Sequence, residues 1–143
     1  MTNKQLQSGN SITMAVPSAA AVASGDALLF GRGTSPAFGL AGVAQNAYTP
    51  PTGSPTGNVG VDFDGVFFLS VLGKDDIGGS NLAIKPGDKV YATGGTYDVT
   101  TGCLYGFTLT GNATGGAYFG NALDAVAAGA TTTVRVRLKK SGA

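Results

Sequence analysis

The chain carries the same series of local signals twice, in the same order. Ser24-Gly25-Asp26-Ala27-Leu28-Leu29-Phe30 returns as Pro86-Gly87-Asp88-Lys89-Val90-Tyr91-Ala92. Phe38-Gly39-Leu40-Ala41 returns as Phe119-Gly120-Asn121-Ala122, and Asn58-Val59-Gly60-Val61-Asp62-Phe63 as Thr133-Val134-Arg135-Val136-Arg137-Leu138. Each copy reads as a Gly-Asp turn, a short strand, an aromatic-Gly-x-Ala strand and an alternating strand. Read as a repeat rather than as a chance recurrence of common turn and strand chemistry, this describes a β-structure with two related candidate lobes, 24–64 and 86–138. The second carries an insertion near 94–117.

The rest of the chain fits that frame. Residues 1–10 are polar and aperiodic and read as an N-terminal arm preceding a β-domain over 11–143. Ser11 to Val16 alternates polar and apolar, the mark of a half-buried strand, and Pro17 ends it. Tyr48 to Pro55 holds three prolines and reads as a stiff excursion. Val59 to Phe63 and Val66 to Leu72 flank Asp64-Gly65, the strongest hairpin signal present. In the closing strand Val134, Val136 and Leu138 face one way while Arg135, Arg137 and Lys139 face the other. No stretch has a helical apolar period. The expectation is an all-β single domain, a small barrel or sandwich of about ten short strands.

Composition then narrows the chemistry. Hydrophobic residues make up 43% of the chain, so its low charge, 12%, does not signal disorder. Such a surface, rich in Ser, Thr, Asn and Gly, suits extended contact with other protein, because few charges need desolvating. There is no His and no Glu, and Cys103 is the single cysteine. Without His, the usual general base near neutral pH and the commonest transition-metal ligand are both missing. Neither a His-dependent triad nor a Cys/His zinc site can be built. One cysteine forms no intramolecular disulfide, which is compatible with folding in a reducing cytosol. The formal charge of +1 draws neither nucleic acid nor membrane. Ala21-Val22-Ala23 imitates a cleavage site, but Ser11, Thr13, Pro17 and Ser18 interrupt the run before it, so a signal peptide is not expected.

Individual motifs favour structure over catalysis. Asp62 and Asp64 would share a strand face, yet no distal Glu or further oxygen ligand follows for a calcium loop, and Asp64 suits a turn. Asp75-Asp76 before Gly78-Gly79 reads as a turn as well. Asp26 and Asp88 follow glycine at strand starts, where Asp accepts from nearby backbone N–H groups. Gly31-Arg32-Gly33 and Gly73-Lys74 lack the remainder of any phosphate loop. Asn112-Ala113-Thr114 matches a glycosylation sequon, relevant only in a secretory pathway. Arg135, Arg137, Lys139 and Lys140 form the one basic cluster. It reads as a solvated face guarding a strand edge, or as a contact for an acidic protein surface; a nucleic-acid groove would want interleaved aromatics.

In their order, these motifs resemble the capsid cement, or head decoration, proteins of tailed bacteriophages and prophages. The resemblance runs through the arm with Leu6-Gln7-Ser8-Gly9, then Ser24-Gly25-Asp26, Phe38 to Ala41, Gly65-Val66-Phe67, Gly87 to Tyr91 and Val134 to Leu138. It covers nearly the whole chain; the Pro-rich 49–55 segment and the 94–117 insertion depart from it. It implies a β-barrel-like structural protein without catalytic residues, cofactor or metal. It also implies a place on the outside of a phage capsid, clamping neighbouring major capsid protein subunits, after synthesis in the host cytoplasm. A homo-oligomer, a trimer by preference, is expected there, without nucleic-acid or membrane partners. Candidate capsid contacts are Asn3, Lys4, Gln5, Leu6 and Gln7 of the arm, with Arg135 and Arg137. The alternative is a carbohydrate- or receptor-binding module using Tyr48, Tyr97, Tyr105 and Tyr118.

Overall fold

A computed structural model describes residues 11–17, 20–32, 38–47, 56–112 and 114–140. The arm residues Asn3, Lys4, Gln5, Leu6 and Gln7, the Pro-rich segment and Tyr48 lie outside the described residues. Among the described residues the fold is all-β. The strands are β1 (Ser11–Pro17), β2 (Ala27–Gly31), β3 (Phe38–Ala44), β4 (Thr56–Asp62), β5 (Val66–Leu72), β6 (Lys89–Thr93), β7 (Thr96–Asp98), β8 (Cys103–Tyr105), β9 (Thr108–Thr110), β10 (Ala117–Ala122) and β11 (Thr131–Leu138). One sheet runs β1-β4-β3-β2-β8-β7, and β10-β11-β5-β9-β6 close into a barrel.

The repetition in the sequence is a repetition of hydrogen bonds. Gly25 N donates to Ala44 O at 2.8 Å, and Gly87 N to Ala122 O at 2.7 Å. Asp26 Oδ2 accepts from Ala23 N, and Asp88 Oδ2 from Lys85 N, each at 2.8 Å. Ala44 N returns to Asp26 O, and Ala122 N to Asp88 O, each at 2.9 Å. Both glycines have positive φ, +93° and +96°, which an L side chain rarely adopts. The sheets repeat as well: β1-β4-β3-β2 in the first lobe corresponds to β5-β11-β10-β6 in the second.

The 94–117 insertion extends both lobes. Its β8 pairs β2 through Leu29↔Leu104 and Phe30↔Cys103. Its β9 pairs β6 in the matching register, Tyr91↔Thr110 and Ala92↔Leu109. In the second lobe β9 also meets β5 in parallel at Val71↔Leu109, and this contact closes the barrel. In the first lobe β8 is followed outward by β7 instead, so that sheet stays open.

Three expectations are corrected. Asp64-Gly65 makes a turn, with Gly65 at φ +118°, but no hairpin. Both edges of β4 are taken, by β1 and β3, and β5 lies between β11 and β9 in the barrel. The turn therefore carries the chain from one lobe to the other. The aromatic-Gly-x-Ala match is out of register by three residues, because Ala44, not Ala41, holds the position of Ala122. Gly42 is accordingly the counterpart of Gly120: a Cβ there would meet Val61 and the Asp62 carbonyl, as one at Gly120 would meet Val136 and the Arg137 carbonyl. Finally, Lys139 is not on the exposed face with Arg135 and Arg137 but is buried. β11 ends at Leu138, and the alternation ends with it.

The lobes share one core. Leu29, Phe38, Ala41, Val43 and Leu104 from the open sheet pack with the barrel interior, including Val71, Val90, Leu109, Phe119, Val134 and Val136. The opposite face of the open sheet buries Leu28, Phe30, Ala44, Val59, Val61 and Cys103 in a second cluster. Strand β2 is thus covered on both sides, which explains its uninterrupted Leu28-Leu29-Phe30 run.

Candidate functional site

On β11 the inward residues Val134, Val136 and Leu138 are buried, and Arg135 and Arg137 point outward. Arg135 is anchored by Asp124. Its Nε donates to Oδ2 at 3.0 Å, its Nη2 to Oδ1 at 2.8 Å, and its backbone N to Oδ2 at 2.9 Å. Hydrogen bonds from the Arg135 side chain, then from its backbone, hold the Asp124 carboxyl down to about 2. The pair is exposed, so its contribution to stability is small, while its fork fixes the guanidinium in place. Arg137 carries no ion pair among the described residues.

The neighbouring strand places apolar groups beside these cations. Arg135 lies opposite Phe68, and Arg137 opposite Val66. Phe68 is 73% exposed and Val66 45%. Sequence reasoning missed this patch, because Val66-Phe67-Phe68-Leu69 is apolar throughout and hides the two-residue period. The alternation of β11, carried across an antiparallel ladder, was the available signal.

Lys139 leaves the basic cluster altogether. Its Nζ donates to the Phe38 carbonyl and lies 6.0 Å from the Tyr118 ring centroid. Burial lowers its pKa. Of the candidate tyrosines among the described residues, Tyr97 and Tyr105 lie on the β7–β8 pair of the open sheet and Tyr118 lies on the barrel. Tyr97 donates to Gly31 O at 2.6 Å and packs its ring on Phe38 in the open sheet. Tyr118, on the barrel, donates to Asn121 Oδ1 and stacks near Tyr91.

The acidic and nucleophilic candidates stay separate. Partial burial raises the Asp62 carboxyl, whose Oδ1 has no hydrogen-bond partner among the described residues, while Asp64 stands exposed in the interlobe turn. Asp76 Oδ1 accepts from Ile77 N at 2.7 Å. Asn112 Oδ1 accepts from Thr114 N at 3.0 Å and Gly115 N at 2.9 Å, so the sequon asparagine organises a turn. Among the described residues no three His, Cys, Asp or Glu side chains gather where an ion could sit. Cys103 is fully buried, and its thiol is pushed up to about 12, by burial first and the Asp98 charge second. We expect native protein at pH 8 to resist iodoacetamide and to react readily once unfolded in urea, because the thiolate is the nucleophile. Equal labelling rates in the two states would contradict this burial.

The arrangement is thus an outward sheet face with a fixed cation, a second cation and two exposed apolar side chains, on a rigid β-framework. This is equipment for surface contact. The model of the phage cement protein family matches residues 6–138. The chain belongs to the phage cement protein family. No curated protein and no solved structure matches it. As a cement protein it is a structural component associated with the phage capsid.

Proposed function

We propose that this cement protein binds the outside of an assembled phage capsid and stabilises contacts between neighbouring coat subunits, without catalysing a reaction. The family match over residues 6–138 carries this reading. A ligand that binds the assembled shell but not loosened subunits stabilises the shell by mass action. Many copies on a lattice add avidity if they also touch one another. We favour a trimer on the shell, since closed symmetric contacts are the usual solution for identical chains. The contacts with the major capsid protein are assigned to Asn3, Lys4, Gln5, Leu6 and Gln7 of the 1–10 arm and to Arg135 and Arg137. Synthesis in the host cytoplasm agrees with the lone, buried Cys103.

The test is co-sedimentation of the full chain with purified empty capsids stripped of cement protein. Saturable binding and a higher capsid disassembly temperature are expected. Deleting residues 1–8 should leave the far-UV circular dichroism of the β-domain intact and weaken capsid binding. Absence of binding by the full chain at about 10 μM would overturn the reading. A map of decorated particles showing isolated copies would overturn the trimer.

A further inference from the structure

We infer that the outer face of β5 and β11 is the docking surface for the coat subunit, with Phe68 as apolar anchor and Arg137 as the cation that meets a carboxylate. The inference rests on the cement reading and identifies which residues of this face engage the shell. Its main support is internal: the first lobe shows what the fold itself requires at the same positions.

The correspondence is set by hydrogen bonds. Asp124 Oδ2 accepts from Arg135 N at 2.9 Å, as Asn46 Oδ1 accepts from Gly60 N at 3.0 Å. Leu123 N donates to Arg135 O, and Gln45 N to Gly60 O, each at 2.8 Å. Arg135 thus stands where the first lobe has Gly60. Across the strands, Phe68 opposes Arg135 as Thr13 opposes Gly60, and Val66 opposes Arg137 as Ser11 opposes Asp62. The first lobe pairs its strands with Thr, Gly, Ser and Asp at these places, so the ladder hydrogen bonds by themselves do not require Phe, Arg, Val and Arg.

Keeping a Phe 73% exposed in mid-strand gains no burial within the monomer, and a clustered apolar group with flanking cations is the composition of an interface centre. The charges define the occupant. Arg135 is already neutralised by Asp124, so on this face Arg137 is the guanidinium without an ion pair among the described residues. A phosphate backbone would want a row of cations. The fitting occupant is a coat-subunit surface with an apolar side chain beside an Asp or Glu.

The test uses substitutions that the first lobe already accommodates, Phe68→Thr and Arg137→Asp, in the full chain. Both should keep the wild-type melting temperature within about 5 °C, as exposed positions allow. Each should weaken binding to stripped capsids at least tenfold, with Arg137→Asp also flattening the dependence of affinity on salt. If wild type binds and both variants bind equally well, this face is not the contact, although the cement reading stands. If wild type does not bind, both fail. If Phe68→Thr disperses a solution oligomer while capsid affinity is unchanged, the face belongs to a second copy and the inference is overturned.

Discussion

Val136→Asp is expected to leave little folded protein at 25 °C. Val136 is fully buried in the barrel, paired with Phe67 on one side and Ala122 on the other. It belongs to the core cluster that includes Val71, Val90, Leu109, Phe119 and Val134, whose side chains offer no hydrogen bond. An uncompensated carboxylate there costs several kcal/mol, out of a total stability of about 5–15 kcal/mol for a domain. The side chain would be forced toward protonation, so the defect should ease as pH falls. Thr133→Asp, on the exposed face of the same strand, should change stability by no more than about 0.5 kcal/mol. Urea unfolding followed by far-UV circular dichroism separates the two. An unchanged midpoint for Val136→Asp would mean that β11 does not line the barrel interior.

Gly120→Ala should be the most damaging single-methyl change among the paired glycines, and Gly39→Ala close to harmless. A Cβ at Gly120 would lie 2.2 Å from the Arg137 carbonyl oxygen and 3.2 Å from Val136 Cγ1. The first of these is backbone in the adjacent strand, so relief requires prising β10 from β11 where Gly120 pairs Leu138. Overpacking of this kind costs about 1–3 kcal/mol or more. At Gly39 nothing lies within 4 Å of the added methyl, and the chain skips this residue where pairing passes from Leu40 to Phe38. Loss of glycine freedom in the unfolded chain would even favour Ala there, by about 0.4–1 kcal/mol. Thermal melts of the two variants measure the register directly. The reverse order would restore Gly39 as the partner of Gly120.

Both predictions turn on a division that runs through the molecule. The amino-acid sequence by itself determined whatever repeats at short range. The Gly-Asp turns at Asp26 and Asp88 were legible because Gly and Asp satisfy the turn with their own backbone and side-chain atoms. The buried face of β11 was legible because polar and apolar residues alternate along it. The family, too, was legible from the order of these motifs. Tertiary structure decided which strands became neighbours. Asp64-Gly65 signals a turn, but a turn does not choose partners; β1 and β3 had occupied both edges of β4. Phe38 and Phe119 look alike locally, yet pairing put Gly42, not Gly39, against β4 in the way that Gly120 lies against β11. Lys139 followed an alternating strand in sequence but was buried once β11 ended, and its pKa was lowered by that burial. Phe68, within an apolar run without visible period, acquired its exposure only from being set opposite Arg135. The physical reason is that side-chain alternation and turn chemistry act over a few residues. Strand pairing, by contrast, is chosen among distant segments by the burial of all of them at once, and a slip of one residue turns a whole face outward.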